Sequence, residues 1–299
     1  MGSIPYVRDM KFEYGVLEPV TDSVRRLVCE NPGPFTFYGT NTYVIGRGRV
    51  VVVDPGPAIE AHVDALLAGL GKETIERVVV THTHRDHSPA AAALVAKLGV
   101  PTAGHGPHGA GLYERGAEVE AGADLAFHPD EALQDGDVIE GDGYSLEVVH
   151  TPGHCSNHLC YQVRGERTLL TGDHVMGWST SVISPPDGDM GAYMASLERL
   201  LSRDDTRYLP AHGAPIEQPA HFVKAYIEHR REREDQIRAC LEQGIDTIDA
   251  MVPRMYRGVA KVLHPAAARS VLAHALHMRD RGELTCAGEP SIHVAWRRA

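Results

Sequence analysis

The chain has 299 residues, of which 43% are hydrophobic and 23% charged, so it suits one large or two modest globular domains. Its net charge of -11 argues against a surface that generally attracts nucleic acid. No run of about 18 apolar residues exists to span a bilayer, and the first residues lack the apolar core of a secretory signal. We therefore expect a cytoplasmic protein without a membrane partner. Its five cysteines are irregularly spaced, which favours reduced thiols over a disulfide framework.

Short β-branched runs alternate with turns and helical stretches between residues 24 and 213, which predicts sheets layered with helices. The predicted strands include NTYVIG (41–46), VVVVDPG (50–56), RVVVTH (77–82), YSLEVVH (144–150), RTLLTGD (167–173) and TRYLPAH (206–212). Four of these runs end in, or lie just before, His or Asp. Because residues beyond strand ends can converge at one edge of a layered α/β domain, that edge is the candidate site.

The sequence pattern changes near residue 219. Residues 220–244 predict one long amphipathic helix whose charged residues form a solvated face. Two further helices and a terminal hairpin are predicted after it, which together resemble a compact winged-helix unit. We therefore predict two domains, residues 1–218 and a small, helical, winged-helix-like domain at residues 219–299. Residues 222–299 hold 13 Lys and Arg against 10 Asp and Glu, so this part is mildly basic.

The segment His82-Thr83-His84-Arg85-Asp86-His87 places three imidazoles and one carboxylate within six residues. Imidazole nitrogen and carboxylate oxygen are the ligands that zinc prefers besides thiolate. Alternating positions in an extended loop allow His82 and His84 to face one metal ion, while Asp86 and His87 face a second. The segment therefore predicts a metal site.

Three more potential ligands follow in the chain: His154 in TPGH, Asp173 in TGD and His212 in PAHG. An isolated pair of histidines is more often a core or surface feature than a metal site. Here each additional ligand follows a predicted strand, so chance is a poor explanation for the series.

The pattern His-x-His-x-Asp-His, followed by His, Asp and His at these spacings, resembles the metallo-β-lactamase superfamily over roughly residues 20–215. That resemblance implies an αββα sandwich with two divalent metal ions, zinc first, with Mn²⁺ or Fe²⁺ as alternatives. It implies that the first ion is held by His82, His84 and His154, the second by Asp86, His87 and His212, and that Asp173 bridges both.

The same resemblance implies a hydrolase in which a hydroxide shared by the two metals attacks a carbonyl carbon or a phosphorus. Asp86 is then also a catalytic residue, which orients the nucleophile and relays its proton to the leaving group. Asp54, in the VVVDPG turn, resembles a residue of the superfamily that orients a ligand by hydrogen bonding. An aspartate chosen only for a turn before Pro-Gly is an equally good interpretation.

Several other residues have weaker signals. A direct ligand role for His158 or His174 is an unfavoured alternative, and His105 and His108 lie in a glycine-rich loop that carries histidines for many reasons. Cys155 follows a predicted ligand, but Asp86 already fills the position at which some β-lactamases use a thiolate. His174 departs from the residue expected after the aspartate, and its role is open.

Within the superfamily, the chain most resembles the branch of lactamase-beta-like protein 2, through PFTFYGTNTYVIG (34–46), SPPDGDMGAYMASLERLL (184–201) and the helical tail. His84 disfavours the oxygen-reducing di-iron flavoproteins, while a mononuclear iron persulfide dioxygenase is harder to exclude. That branch implies a hydrolase, and single-strand-specific endoribonucleases are among its members.

Two classes of substrate are predicted as alternatives. In the first, the enzyme cleaves phosphodiesters of single-stranded RNA, and Tyr226, Tyr256 or Trp296 of the basic tail stack on bases. In the second, it hydrolyses a small carbonyl substrate such as an ester, thioester, lactone or β-lactam, with the tail as a lid. A third hypothesis treats the tail as a dimerisation or nucleic-acid-binding module, and a homodimer is a further expectation.

Overall fold

The computed structural model describes residues 4–109 and 122–299. A first sheet of seven strands runs in chain order from one edge to the other. Its strands are β1 (Glu18–Pro19), β2 (Val24–Val28), β3 (Asn41–Arg47), β4 (Arg49–Val53), β5 (Thr74–Val79), β6 (Thr102–Gly104) and β7 (Glu131–Ala132). The pairs from β1 to β4 are antiparallel, and those from β4 to β7 are parallel.

A second sheet has six strands in the order β13-β12-β11-β10-β9-β8. They are β8 (Val138–Gly141), β9 (Tyr144–His150), β10 (Leu159–Val163), β11 (Thr168–Gly172), β12 (Arg207–Pro210) and β13 (Ile216–Glu217). β10 is antiparallel to both β9 and β11, and β11 is parallel to β12. β9, β11 and β12 therefore run in one direction, and their carboxyl ends meet at the same edge.

The run Val50–Val53 shows why β4 is apolar at every position after Arg49 rather than alternately. Val51 and Val53 pack in the core between the two sheets, whereas Val50 and Val52 pack on the opposite face of the sheet. All four side chains are buried, because both faces of this sheet are covered. The core between the sheets also contains Leu146, Val148, Leu159, Tyr161, Leu170 and Leu209 of the second sheet.

Helices cover the outer face of each sheet. α1 (Glu60–Leu70) and α2 (Ala90–Leu98) pack on the first sheet, where Leu66 and Leu94 are fully buried. α3 (Met190–Leu201) and the amino-terminal half of α4 (Pro219–Glu242) pack on the second. The layers are therefore helix, sheet, sheet and helix, which confirms the predicted αββα sandwich.

The carboxyl-terminal half of α4 belongs to a separate hydrophobic core. The other elements around this core are α5 (Ile248–Met255), a 3₁₀ turn (Lys261–Leu263), α6 (His264–Asp280) and the antiparallel pair β14 (Leu284–Cys286) and β15 (Trp296–Arg298). The predicted helices and terminal hairpin are confirmed. Because α4 packs against both cores, the division into residues 1–218 and 219–299 stays a prediction.

Two predictions about the tail are wrong. Arg230 and Glu234 of α4 are buried, with 3% and 7% of their surfaces exposed, so the helix's charges do not all lie on a solvated face. Tyr226 and Trp296 are also buried, at 0% and 1% exposure, so neither can stack on a nucleic-acid base. The phenol of Tyr226 is engaged with backbone groups, and Trp296 fills the C-terminal core.

Within residues 4–109 and 122–299, no helix is both long and apolar enough to cross a bilayer.

Candidate metal centre

Seven side chains converge at the edge where the strands of both sheets end. The His82–His87 segment follows β5, His154 follows β9, Asp173 follows β11 directly, and His212 follows β12. Buried apolar residues of these strands, such as Val79, Val149 and Leu170, hold these loops on a rigid support. The structure thus brings together every predicted ligand, and the ligand roles themselves stay predictions.

Three imidazoles form a first cluster at this edge. Nδ1 of His84 lies 2.9 Å from Nε2 of His82 and 3.1 Å from Nε2 of His154. Ligand atoms bound about 2.1 Å from one tetrahedral zinc ion are about 3.4 Å apart, so these nitrogens are spaced for a shared cation. Cys155 lies beside the same cluster, with its Sγ atom 3.3 Å from Nε2 of His84.

A second cluster combines two imidazoles with two carboxylates. Nε2 of His212 lies 3.2 Å from Oδ2 of Asp86 and 3.3 Å from Oδ1 of Asp173. Nε2 of His87 lies 3.6 Å from the same two carboxylate oxygens. The other oxygen of Asp173, Oδ2, lies 3.8 Å from Nε2 of His154 in the first cluster. Asp173 therefore stands between the clusters, where a bridging carboxylate is predicted.

The residues of the second cluster fit a bound cation. Nε2 of His87, Nε2 of His212 and Oδ1 of Asp173 are buried, and although Oδ1 lies 3.3 Å from His212 and 3.6 Å from His87, none of the three makes a well-oriented hydrogen bond among the described residues. Buried polar atoms without such bonds are costly, and three that face one space suggest that a cation belongs between them. A set of imidazole nitrogens and carboxylate oxygens suits zinc, iron or manganese.

The electrostatics of the second cluster agree with this interpretation. Burial opposes the charged form of His212, yet the carboxylates of Asp173 and Asp86 raise its pKa to about 10. The same competition raises the pKa of His87, where Asp86, Asp173 and Asp54 outweigh burial. The carboxylates thus attract positive charge strongly enough to hold protons on buried imidazoles. A divalent cation can take the place of those protons.

Asp54 contacts two parts of the centre. Its Oδ2 atom lies 3.0 Å from Nδ1 of His87 and accepts a hydrogen bond from the Thr81 hydroxyl at 2.7 Å. Its Oδ1 atom accepts from the Thr81 backbone N–H at 2.7 Å, and the Thr81 hydroxyl lies 3.0 Å from Nδ1 of His82. These contacts support the orienting role that the sequence left open between two interpretations.

Replacing Asp54 with asparagine is expected to weaken metal binding by about 10- to 100-fold, because partners that orient a ligand have effects of this size. The amide keeps the shape of the side chain but not its charge. Competition with a chromophoric chelator measures the affinity. Asp64→Asn is the control, since that side chain is 57% exposed on α1. An unchanged affinity in Asp54→Asn contradicts the orienting role.

Two backbone carbonyls contact the Nδ1 atoms of His154 and His212, the nitrogens that face away from the clusters. Nδ1 of His154 lies 2.6 Å from the carbonyl oxygen of Val182, and Nδ1 of His212 lies 3.1 Å from that of Gly39. Each carbonyl requires an N–H on Nδ1, which leaves the Nε2 lone pair directed at the clusters. Residue type does not reveal such contacts, so sequence reasoning missed both.

His158 and His174 do not belong to either cluster, and their rings contact other groups. His158 contacts the Thr151 hydroxyl through Nδ1, at 2.9 Å, and accepts the backbone N–H of Asp173 at Nε2, at 3.2 Å. It therefore supports the backbone of a predicted ligand. The ring of His174 packs 4.6 Å from that of Tyr193, on the outer side of the second sheet. Burial lowers the pKa of His174 to about 3.

Gly172, directly before Asp173, is a functional position that sequence reasoning missed. Its φ is +49°, and a Cβ atom there would lie 2.6 Å from Nε2 of His158 and 2.8 Å from the Thr81 hydroxyl oxygen. A side chain at this position would therefore displace two residues that support the centre. The glycine in the TGD segment was the available signal.

His105 and His108 lie outside the two clusters. The ring of His105 packs 4.4 Å from that of His150, and Nδ1 of His108 lies 3.0 Å from the Thr83 hydroxyl oxygen. His108 therefore contacts the residue between two predicted ligands, although neither histidine had a role in the prediction from sequence.

Comparison with known proteins identifies the family. Residues 35–212 match the metallo-beta-lactamase superfamily, and residues 247–288 match the beta-lactamase associated winged helix domain. The chain belongs to the metallo-beta-lactamase superfamily. It is a metal-dependent hydrolase with a C-terminal winged helix domain, as the sequence predicted.

Relatives span most of the chain. The beta-lactamase-like protein 2 homolog of Drosophila melanogaster is 32% identical over 286 residues, covering 89% of this chain and 90% of the relative. The atrochrysone carboxyl ACP thioesterase of Claviceps purpurea is 30% identical over 250 residues, covering 80% and 74%. A beta-lactamase domain protein from Burkholderia ambifaria superposes with a TM-score of 0.82 at 23% identity, covering 97% and 96%. The predicted resemblance to lactamase-beta-like protein 2 is confirmed.

Proposed function

We propose that this superfamily member hydrolyses the thioester of an apolar acyl group. Water adds to the carbonyl carbon, the carbon–sulfur bond breaks, and the products are a carboxylic acid and a thiol. The observation that favours this substrate is a wall of aromatic side chains beside the metal centre. The wall consists of Phe37, Tyr38 and Trp178, and Phe35 lies two residues before Phe37 in the chain.

The wall lies next to His212. Phe37 stacks on Trp178 with ring centroids 4.7 Å apart and an interplanar angle of 7°. Trp178 in turn lies against Gly213, where an added Cβ would be 3.0 Å from Cδ1 of the indole. Phe35, two residues before Phe37 in the chain, is 52% exposed. An apolar acyl group could pack on these rings while its carbonyl reaches the metal centre.

The two clusters would hold two divalent ions, zinc first, with Mn²⁺ or Fe²⁺ as alternatives. When bound, such ions polarise a carbonyl oxygen and make water a stronger acid at neutral pH. Asp86 has 28% of its side chain exposed, against 11% for Asp173 and 0% for His212. Asp86 is therefore the second-cluster side chain best placed to reach a substrate.

Asp86 supplies the proton transfer in this proposal. Burial opposes the ionised form of Asp86, but His87 and His212 lower its pKa below the usual range, so it is a carboxylate at neutral pH. As a carboxylate it accepts a proton from the attacking water and can return it to the departing sulfur. The His212 contact at 3.2 Å keeps its Oδ2 atom fixed.

Cleavage of single-stranded RNA has weaker support. Of the three aromatic residues proposed to stack on bases, Tyr226 and Trp296 are buried, and only Tyr256 is partly accessible. The chain's net charge of -11 also repels a polyanion. The Claviceps relative, by contrast, is named as a thioesterase. Lactones, β-lactams and simple esters share the carbonyl chemistry, so they are the alternative substrates to be tested. Homodimerisation stays a prediction.

The test is hydrolysis by metal-reconstituted protein of aryl-acyl and acetyl thioesters of N-acetylcysteamine, a lactone, a β-lactam and labelled single-stranded RNA. We expect the aryl-acyl thioester to be the best substrate. Trp178→Ala should raise its KM about tenfold, since stacked aromatic contacts and their buried area contribute about 1–2 kcal/mol. The acetyl thioester should be affected much less.

Tyr256→Ala is the control, because Tyr256 lies in the C-terminal unit and packs on Arg233. It should leave thioester hydrolysis unchanged. RNA cleavage that Tyr256→Ala weakens, without thioester hydrolysis, would overturn the proposal in favour of a ribonuclease.

A further inference from the structure

The loop from Asp173 to Val182, between β11 and α3, supplies two contacts of the metal centre. Asp173 provides the carboxylate between the two clusters. The carbonyl of Val182, at the other end of the loop, lies 2.6 Å from Nδ1 of His154 and fixes the direction of that ring. This one loop therefore contacts both clusters.

The hydroxyl of Ser181 ties the two ends of the loop together. It donates to the backbone carbonyl of Asp173 and also lies 2.9 Å from the carbonyl oxygen of His174. Ser181 directly precedes Val182 in the chain and is 1% exposed. Ser181 thus links the backbone of Asp173, through its side chain, to Val182, its neighbour in the chain.

α4 holds this loop from the outside. Arg230 donates from Nη2 to the carbonyl of Ser181 at 2.6 Å, and its guanidinium carbon lies 5.0 Å from the ring centroid of Tyr193. One turn earlier, the Tyr226 hydroxyl accepts the backbone N–H of Met176 at 3.2 Å and donates to a carbonyl of the same loop, that of Met176 or Ser179.

The burial of Arg230 argues for a specific role. Removing a guanidinium from water is strongly unfavourable unless polar partners replace the water, so an arginine at 3% exposure is an unusual choice for filling space. Its described hydrogen bond goes to a backbone carbonyl of the ligand-bearing loop. A charge-assisted bond of this kind is stronger than one between neutral groups, so it favours one conformation of that loop.

We propose that α4 is part of the metal centre, and that Arg230 is a positioning residue which sets Asp173 and His154 through the loop from Asp173 to Val182. The helix that leads into the winged helix domain thereby couples that domain to metal binding. This inference rests on the proposed metal centre but not on the choice of substrate.

Arg230→Met tests the proposal, because methionine retains much of the apolar bulk of the side chain but removes the donor. We expect metal affinity, measured by competition with a chromophoric chelator, to fall about 10- to 100-fold, as for other residues that orient ligands. At saturating metal, kcat should fall while KM changes little. Arg231→Met is the control, since Arg231 is 64% exposed on the same helix and should leave both quantities unchanged.

Tyr226→Phe is the second variant, because it removes only one hydroxyl and should fold if Arg230→Met does not. It is expected to weaken metal binding about threefold to tenfold, in line with the loss of about one hydrogen bond. Metal affinities within twofold of wild type in Tyr226→Phe and in any folded Arg230→Met would overturn the proposal, even if the thermal stability of the metal-free protein fell. Asp173→Ala, measured in parallel, separates this outcome from a failure of the metal centre itself: if it too binds metal normally, the centre is wrongly assigned.

Discussion

Replacing Asp173 with alanine is expected to remove nearly all hydrolytic activity and to lower the metal content of the purified protein. The Oδ1 atom of Asp173 faces His212 at 3.3 Å and His87 at 3.6 Å, while Oδ2 faces His154 at 3.8 Å. Among the described carboxylates, Asp173 alone lies within ligand distance of imidazoles from both clusters, His82 of the first and His87 of the second. Because bound ions contribute several kcal/mol to catalysis, and about 1.4 kcal/mol is tenfold in rate, kcat/KM should fall about a thousandfold or more.

Elemental analysis of metal per chain, together with kcat/KM, measures this effect. Asp204→Ala is the control, since its side chain is 80% exposed beside Arg167 and should behave as wild type. Asp173→Asn separates charge from shape, and we expect it to lose metal as well, because a neutral amide cannot balance two cations. Full metal occupancy with near-wild-type turnover in Asp173→Ala would remove the basis for a bridging role.

Much of the fold and of the candidate site could be predicted because the relevant signals are local. Four strands precede the seven side chains, and each carries buried apolar residues and ends within a few residues of a His or Asp. The two sheets are covered on both faces, so a run such as Val50–Val53 is continuously hydrophobic and easily recognised. A ligand can be predicted from the sequence when it follows a recognisable strand at a short distance along the chain.

The supporting contacts could not be predicted in the same way, because they join residues that are distant in the chain. Asp54 reaches Thr81 and His87 across 27 and 33 residues, and its position before Pro-Gly suggests a turn equally well. The carbonyls of Gly39 and Val182 belong to the backbone, which any residue supplies. Only the folded chain shows that these groups fix the imidazoles.

The wrong predictions share one physical cause, which is that the sequence does not show which side chains find tertiary partners. A helical periodicity separates polar from apolar residues, but it does not show which polar residues find a partner inside the protein. Arg230 is buried because Ser181 offers a carbonyl, and Glu234 is buried because Arg281 donates to it. Trp296 is buried because the terminal hairpin folds onto α4 rather than extending into solvent. Tertiary partners therefore overrule the solvated face that charge alone indicates.

Chelation of the metal is expected to abolish activity reversibly while leaving the fold intact. Within residues 4–109 and 122–299, hydrophobic cores lie between the sheets, on their outer faces and in the C-terminal domain, and the metal centre lies at one edge of the sandwich. Protonated His87 and His212 can also offset Asp86 and Asp173 once the cations leave, because the carboxylates raise the pKa of both imidazoles despite burial. The metal-free chain thus retains both its packing and a balanced charge at the edge.

Bound metal should still stabilise the folded state by mass action. Metal at about a thousand times its dissociation constant adds about 4 kcal/mol per site, so its removal should lower the melting temperature by about 5–15 °C. Circular dichroism should show an unchanged far-ultraviolet spectrum at 25 °C, whereas a loss of ellipticity would show that folding depends on the cations. Activity regained with Zn²⁺, Mn²⁺ or Fe²⁺, each added alone under anaerobic conditions, then distinguishes the ions. The imidazole-rich first cluster favours zinc, because zinc prefers nitrogen ligands in tetrahedral geometry.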